Sequence, residues 1–242
     1  MVTALRNSGW PADHILELVD GDATAAKIRQ GMQWLVQHSA PDTFTLFHFS
    51  GHVCIPSTGP CGSGMHLWSV DNQYVSDVEV GNALRGLQGK AWVDIAGCEA
   101  AAFNKGISSA DRLFTGSSAA SEKSYENPDW HESVWTAYSV DQGILQGQAD
   151  SNGDHRVTVW EAVNWAAPRA VEFTRNGAHG SQHPDIAGGD TWRGSDLAEF
   201  ARRPPPPPPP PPASNGGGGG GQQPAPAPAP ACTGLTKGLL CR

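Results

Sequence analysis

The chain has 242 residues and a formal net charge of -8, with 16 Lys and Arg against 24 Asp and Glu. Without a basic stripe ahead of its tail it is not built to grip a phosphate backbone, and nucleic acid is not an expected partner. No apolar run is long enough for a transmembrane segment and no signal-peptide pattern follows Met1, so a soluble chain is expected.

Residues 1–189 alternate helical and strand-like patterns, as in a parallel sheet covered on both faces. A helix is expected over residues 2–8 and a short strand over 14–19. An amphipathic helix follows over 24–38, with Ile28, Met32 and Leu35 on one face and Thr24 as its cap. The run TFTLFHFS, residues 43–50, is β-branched and aromatic and reads as a buried strand leading straight into Gly51 and His52. After a Cys-, Gly- and Pro-rich loop come a strand over 65–70 and a helix over 76–87 that carries Asp77 and Glu79 in its first turn. A core strand, AWVDIA over 91–96, delivers Cys98. A further strand over 113–117 and helices over 133–145 and 158–173 complete the folded part.

Residues 204–231 hold nine consecutive prolines, a glycine run and alternating Pro-Ala, a linker of stiff and flexible parts expected to stay disordered outside the core. A short segment, 232–242, bounded by Cys232 and Cys241, ends the chain. The five cysteines fall as two close pairs, Cys54 with Cys61 and Cys232 with Cys241, leaving Cys98 over. Read as disulfides, the pairs imply an oxidising compartment, secreted or at the cell surface; read as reduced thiols they carry no such implication.

Two segments carry chemistry: FHFSGHV, residues 47–53, and VDIAGCEAAAF, residues 93–103. In an open parallel sheet, functional side chains gather where neighbouring strands end, so two strands running out into His52 and Cys98 point to a Cys-His dyad. The imidazole would activate the thiol and later protonate the leaving amine, and the backbone N–H groups of Val53 and Cys98 would hold an oxyanion. Asp94, Glu99, Tyr125 and Glu126 are candidates for substrate binding, their carboxylates suited to a basic residue before the scissile bond.

These segments resemble the caspase-like cysteine peptidases, the clan of caspases, metacaspases and legumain-type enzymes. The resemblance rests on Ser50-Gly51-His52, on a cysteine 46 residues downstream at the end of a strand, on the strand and helix between them, and on FTGSSAASEKSYE after the cysteine. It implies an α/β three-layer sandwich over residues 1–203, with a mostly parallel central sheet and helices on both faces. The chain departs from the clan in having Val53 where SGHG has glycine, Ala96 two residues before Cys98, and Glu99-Ala100-Ala101 after it. The clan's first strand, expected ahead of Val2, is also missing, so that either the true start lies upstream or the sheet lacks one member.

DSNGDHRVTVWE, residues 150–161, matches the calcium-binding EF-hand loop through Asp150, Asn152, Asp154, Thr158 and Glu161, with the carbonyl of Arg156 as a further ligand. Histidine replaces the usual glycine at the sixth position, His155, which must take up a sharp turn there. Ca²⁺ is therefore an expected ion, and no organic cofactor is expected.

The combined expectation is a thiol peptidase cleaving a protein or peptide substrate, with preference for basic residues and with calcium support. The alternatives are an inactive caspase-like binding module and an extracellular anchoring protein acting through its proline-rich tail.

Overall fold

The computed structural model describes residues 1–176 and 180–201. The linker over 204–231 and the pair Cys232 and Cys241 lie outside the described residues. The N-terminal helix α1 (Val2–Asn7) and helix α2 (Ala25–His38) form as expected, α2 starting where the Thr24 hydroxyl accepts the Lys27 N–H. The buried run becomes β1 (Phe44–Ser50), followed by an antiparallel meander of β2 (Val53–Cys54), β3 (His66–Trp68) and β4 (Tyr74–Ser76). Helix α3 (Asp77–Leu84) opens with a reciprocal cap: Ser76 accepts from the Glu79 N–H while Glu79 accepts from the Ser76 N–H.

Strand β5 (Lys90–Ala96) pairs in parallel with β1 and with β6 (Arg112–Gly116). The small hairpin β7 (Glu126–Asn127) and β8 (Glu132–Ser133) precedes a helical turn α4 (Val134–Thr136). Helix α5 (Val159–Asn176), strand β9 (Asp185–Ala187) and helix α6 (Leu197–Ala201) complete the described fold. The central sheet runs β1-β5-β6-β9, parallel except for β9.

Side-chain alternation along β5 builds the layers. Ala91, Val93 and Ile95 face one cluster with Ile28 and Met32 of α2 and Val80 and Leu84 of α3. Trp92 and Ala96 face the other, with Trp135, Val140, Val163 of α5 and Phe200 of α6. This is the expected mixed α/β sandwich with a mostly parallel sheet. No helix among the described residues is long and apolar enough to cross a membrane.

Two expectations are corrected. The strand expected over 14–19 is an unpaired segment, preceded by a 3₁₀ turn (Ala12–His14), with Leu16 and Val19 half exposed. A cleft of about 920 Å³ separates it from β1, whose only ladder partner among the described residues is β5. The helix expected over 133–145 continues beyond α4 as a π-helix (Ala137–Leu145). There Gly143 approaches α5 closely: a Cβ on it would stand 2.8 Å from the Tyr138 carbonyl oxygen and 3.7 Å from Ala162 Cα.

Candidate active site

Strands β1 and β5 run parallel in register to their ends, Ser50 opposite Ala96, and the Gly51 N–H donates to the Ala96 carbonyl at 3.0 Å. His52 and Cys98 therefore each lie two residues beyond a paired position, on adjoining turns. The turns touch: a Cβ on Gly97 would come within 2.9 Å of both the Gly51 oxygen and Val53 Cγ2, so only glycine fits there. His52 is exposed, Val53 is buried in β2 opposite Leu67, and Cys98 is fully buried.

A shell of small polar residues from the segment after β6 holds the cysteine turn. The Ser117 hydroxyl accepts the Gly97 N–H at 3.0 Å, and the Ser118 hydroxyl accepts the Ala100 N–H at 3.2 Å. The Ser124 N–H donates to Cys98 Sγ at 3.3 Å and the Ser124 carbonyl oxygen lies 3.6 Å from the same sulfur. That sulfur is disulfide-bonded, which corrects the expectation that Cys98 is the cysteine left over. Buried Gln182 ties this segment to the end of the sheet, donating to the Ser117 carbonyl at 2.7 Å and accepting from the Tyr125 N–H at 3.0 Å. Sequence inspection missed Ser117, Ser118, Ser124 and Gln182; the one signal was a run of small hydroxyl residues directly after a core strand.

The proposed substrate residues separate. Glu99 follows Cys98 in a left-handed turn (φ 52°), half-buried, and its burial raises its carboxyl pKa above the ordinary value while Lys123 opposes the rise. Asp94 is not available to a substrate. As an even-numbered residue of β5 it faces the layer of Trp92 and Trp135 and is fully buried. There it accepts from the Thr115 hydroxyl (2.6 Å) and Trp135 Nε1 (2.8 Å) and meets His48 Nδ1 at 2.7 Å. It is a core carboxylate with its acceptor capacity in use. Tyr125 is buried and Glu126 exposed; both line a separate cleft beside α5, not the Cys98 turn.

The calcium-loop residues fold as a tight turn. Asp150 accepts the Gly153 and His155 N–H groups at 2.8 and 2.9 Å, Asn152 accepts from Asp154 N, and Asp154 accepts from Arg156 N. Glu161 takes the Thr158 N–H and hydroxyl on one oxygen and Ser151 on the other. His155 adopts the left-handed conformation (φ 63°) that the loop's sixth position demands. The carboxylates are turned onto their own backbone, and among the described residues no group of three His, Cys, Asp or Glu converges as a metal site. The Arg156 side chain pairs with Asp196.

Cys54 and Cys61 are joined as a disulfide that closes the loop between β2 and β3.

No protein-family model and no curated protein sequence matches the chain. Among solved structures, the chain is similar to the Geobacter sulfurreducens protein GSU0716, at 14% identity and a TM-score of 0.54 over 77% of this chain and 80% of that one. A likeness of that degree shows a shared fold. A caspase-1 from Spodoptera frugiperda superposes with a TM-score of 0.49 at 10% identity, over 77% of this chain and 74% of the other.

Proposed function

We propose that the chain is a cysteine endopeptidase acting through Cys98 and His52. The observation that carries this reading is the in-register ending of β1 and β5, which sets Gly51-His52-Val53 against Gly97-Cys98 on touching turns. Once an external thiol has reduced the disulfide that holds Cys98, His52 takes the Cys98 proton and the thiolate attacks the scissile carbonyl carbon. The resulting oxyanion is held by backbone N–H groups at Val53 and Cys98. Collapse of the intermediate breaks the C–N bond, the imidazolium gives its proton to the leaving amine, and water then hydrolyses the thioester with His52 as base. Burial of Cys98 and its disulfide mean that reduction and a swing of the Ser124 segment off the sulfur both precede entry of a substrate.

Within this reading, Glu99 is the carboxylate suited to a basic substrate residue, being next to the nucleophile and half-buried. Ca²⁺ belongs to the reading as a supporting ion: Asp150, Asn152, Asp154 and Glu161 would turn their oxygens from the loop's own N–H groups to the ion, and the left-handed His155 already has the required backbone. The cysteine pair Cys54–Cys61 supports an oxidising, extracytoplasmic setting.

The test is covalent labelling of the reduced full chain by peptidyl-Arg and peptidyl-Asp chloromethyl ketones, with and without calcium. Mass addition at Cys98, lost in Cys98→Ala and His52→Ala, is the expected result. A folded protein that no probe labels supports the second reading, a closed, inactive module that binds partners; the complete burial of Cys98 favours that alternative.

A further inference from the structure

Cys98 is held in a disulfide, and the chain has five cysteines. Cys54 and Cys61 are bonded to each other, so within one chain the sulfur left to meet Cys98 belongs to Cys232 or Cys241. Both stand in the terminal segment 232–242, which lies outside the described residues. The cysteine count therefore joins that segment to the sulfur that the peptidase reading needs as nucleophile.

The linker is long enough for such a closure. The tail leaves the fold beside the start of β1, where Phe200 stacks on Phe44 at 3.8 Å. Cys98 lies two residues beyond the far end of β5, and a seven-residue strand at about 3.3 Å per residue puts roughly 23 Å of sheet between the two ends. Wound as polyproline II, the nine prolines at 204–212 would cover about 28 Å and the Pro-Ala run at 224–231 about 25 Å, with six glycines between them as a joint. Two rods on a joint reach any separation up to more than twice the length of the sheet, which leaves room to run round the fold. A tether of this kind holds its end at an effective concentration near millimolar, far above that of a second copy in dilute solution.

Charge agrees with the destination. Residues 202–242 carry four Lys and Arg and no acidic side chain, and Lys237 and Arg242 belong to the terminal segment itself. Glu99, half-buried beside Cys98, is the carboxylate they would approach.

We propose that segment 232–242 is a redox latch on the candidate active site, one of its two cysteines bonded to Cys98 and released by a dithiol reductant. The bond stands whether or not Cys98 is a nucleophile; its consequence for activity rests on the peptidase reading. Because Cys98 is fully buried, the reductant's thiolate attacks the tail sulfur, the S–S bond breaks, and Cys98 leaves as the thiolate. The reductant's second thiolate then displaces the tail sulfur and closes the reductant's own disulfide, so that two electrons pass to the protein's two sulfurs.

The test digests the unreduced full chain with trypsin after thiols are blocked by N-ethylmaleimide in guanidinium chloride. Cleavage after Lys90, Lys105 and Lys237 puts Cys98, Cys232 and Cys241 on three different peptides. Peptide 91–105 is expected joined to the peptide of Cys232 or of Cys241, with maleimide on the other tail cysteine. Maleimide on Cys98, a bond from Cys98 to Cys54 or Cys61, or a disulfide-linked dimer on a non-reducing gel would overturn the proposal. The second arm is native labelling of Cys98 by a peptidyl-Arg chloromethyl ketone. Dithiothreitol should speed it at least about tenfold in the native chain and leave the Cys232→Ser, Cys241→Ser double variant within about twofold of its unreduced rate. Labelling of the unreduced native chain at the variant's rate would overturn the latch and leave the peptidase reading intact. A variant whose Cys98 takes maleimide in guanidinium but no peptidyl ketone under native conditions would remove the peptidase reading, while the peptide map still decides the bond.

Discussion

Asp94 separates a role in the core from one in substrate choice. Its carboxylate takes hydrogen bonds from Thr115 and Trp135 and meets His48, all inside the molecule. Asp94→Ala strips the acceptor from those buried donors at once. Each donor left unsatisfied costs about 1–3 kcal/mol, and since the three share one site and can partly re-pair, the combined loss is set at about 3–5 kcal/mol. For a domain of this size that corresponds to a fall in Tm of about 6–20 °C. Asp94→Asn keeps one oxygen for Thr115 and Trp135 and presents an NH₂ to His48, so its cost is held to about 1–2 kcal/mol. Urea unfolding followed by tryptophan fluorescence gives both numbers, and the change should fall on the midpoint with the slope unaltered. A loss below about 1 kcal/mol in Asp94→Ala, joined to a selective fall in cleavage after Arg over an uncharged residue, would refute this placement and return the carboxylate to the substrate pocket.

Four further outcomes follow from the geometry. Gly97→Ala drives a methyl group to 2.9 Å from the Gly51 oxygen and Val53 Cγ2, and should lower stability by about 1–3 kcal/mol and abolish Cys98 labelling, as read by melting and by mass spectrometry. Replacing Cys54 and Cys61 by Ser opens a loop of seven residues' separation and should cost about 2–3 kcal/mol, checked by denaturation with and without reductant. Burial and the neighbouring Asp141 raise the Glu132 carboxyl to about 7, so its contribution to stability is full below its unfolded value and lost as pH rises towards 7. Glu132→Gln should therefore gain about 1–2 kcal/mol over the native chain at pH 8 and nothing at pH 4, after discounting for its partial exposure. Calcium at millimolar concentration should raise Tm in the native chain and leave Asp150→Ala unmoved, and a native Tm indifferent to calcium would remove the ion from the mechanism.

The central sheet was legible because it is written in short apolar runs. Residues 44–50 and 90–96 are rich in β-branched and aromatic or other apolar residues and read as buried strands, and the Thr24 cap marked the start of its helix. The segment over 14–19 has a similar alternation, yet a strand is completed by a partner, and none of the described residues pairs with it. The π-helix escaped for a related reason. Its 3.6-like apolar spacing is ordinary, and only the close fit of Gly143 against α5 shows why the extra residue per turn is accommodated.

The candidate site was legible in its two ends and illegible in its surroundings. Strand ends can be counted, so His52 and Cys98 follow from register once β1 and β5 are neighbours. Which face a strand residue meets depends on the layer packed against it, and Asp94, four residues before the cysteine, fell on the side of Trp135. The shell around Cys98 comes from Ser117, Ser118, Ser124 and Gln182, the last of them 84 residues further along the chain, and hydroxyls in a loop announce no partner. That shell sets what chemistry the turn can perform. The sulfur is closed twice over, by its disulfide and by the Ser124 backbone, and in the reduced protein opening the segment exchanges two weak contacts to sulfur for a substrate carbonyl. A peptidase built this way should be slow until Cys98 is reduced and the 118–125 segment displaced, and in the reduced protein Ser124→Pro, which deletes the N–H that meets Cys98 Sγ, should speed alkylation of Cys98 by a small reagent such as iodoacetamide. An unchanged alkylation rate in a folded Ser124→Pro protein would mean that the segment is not what guards the thiol.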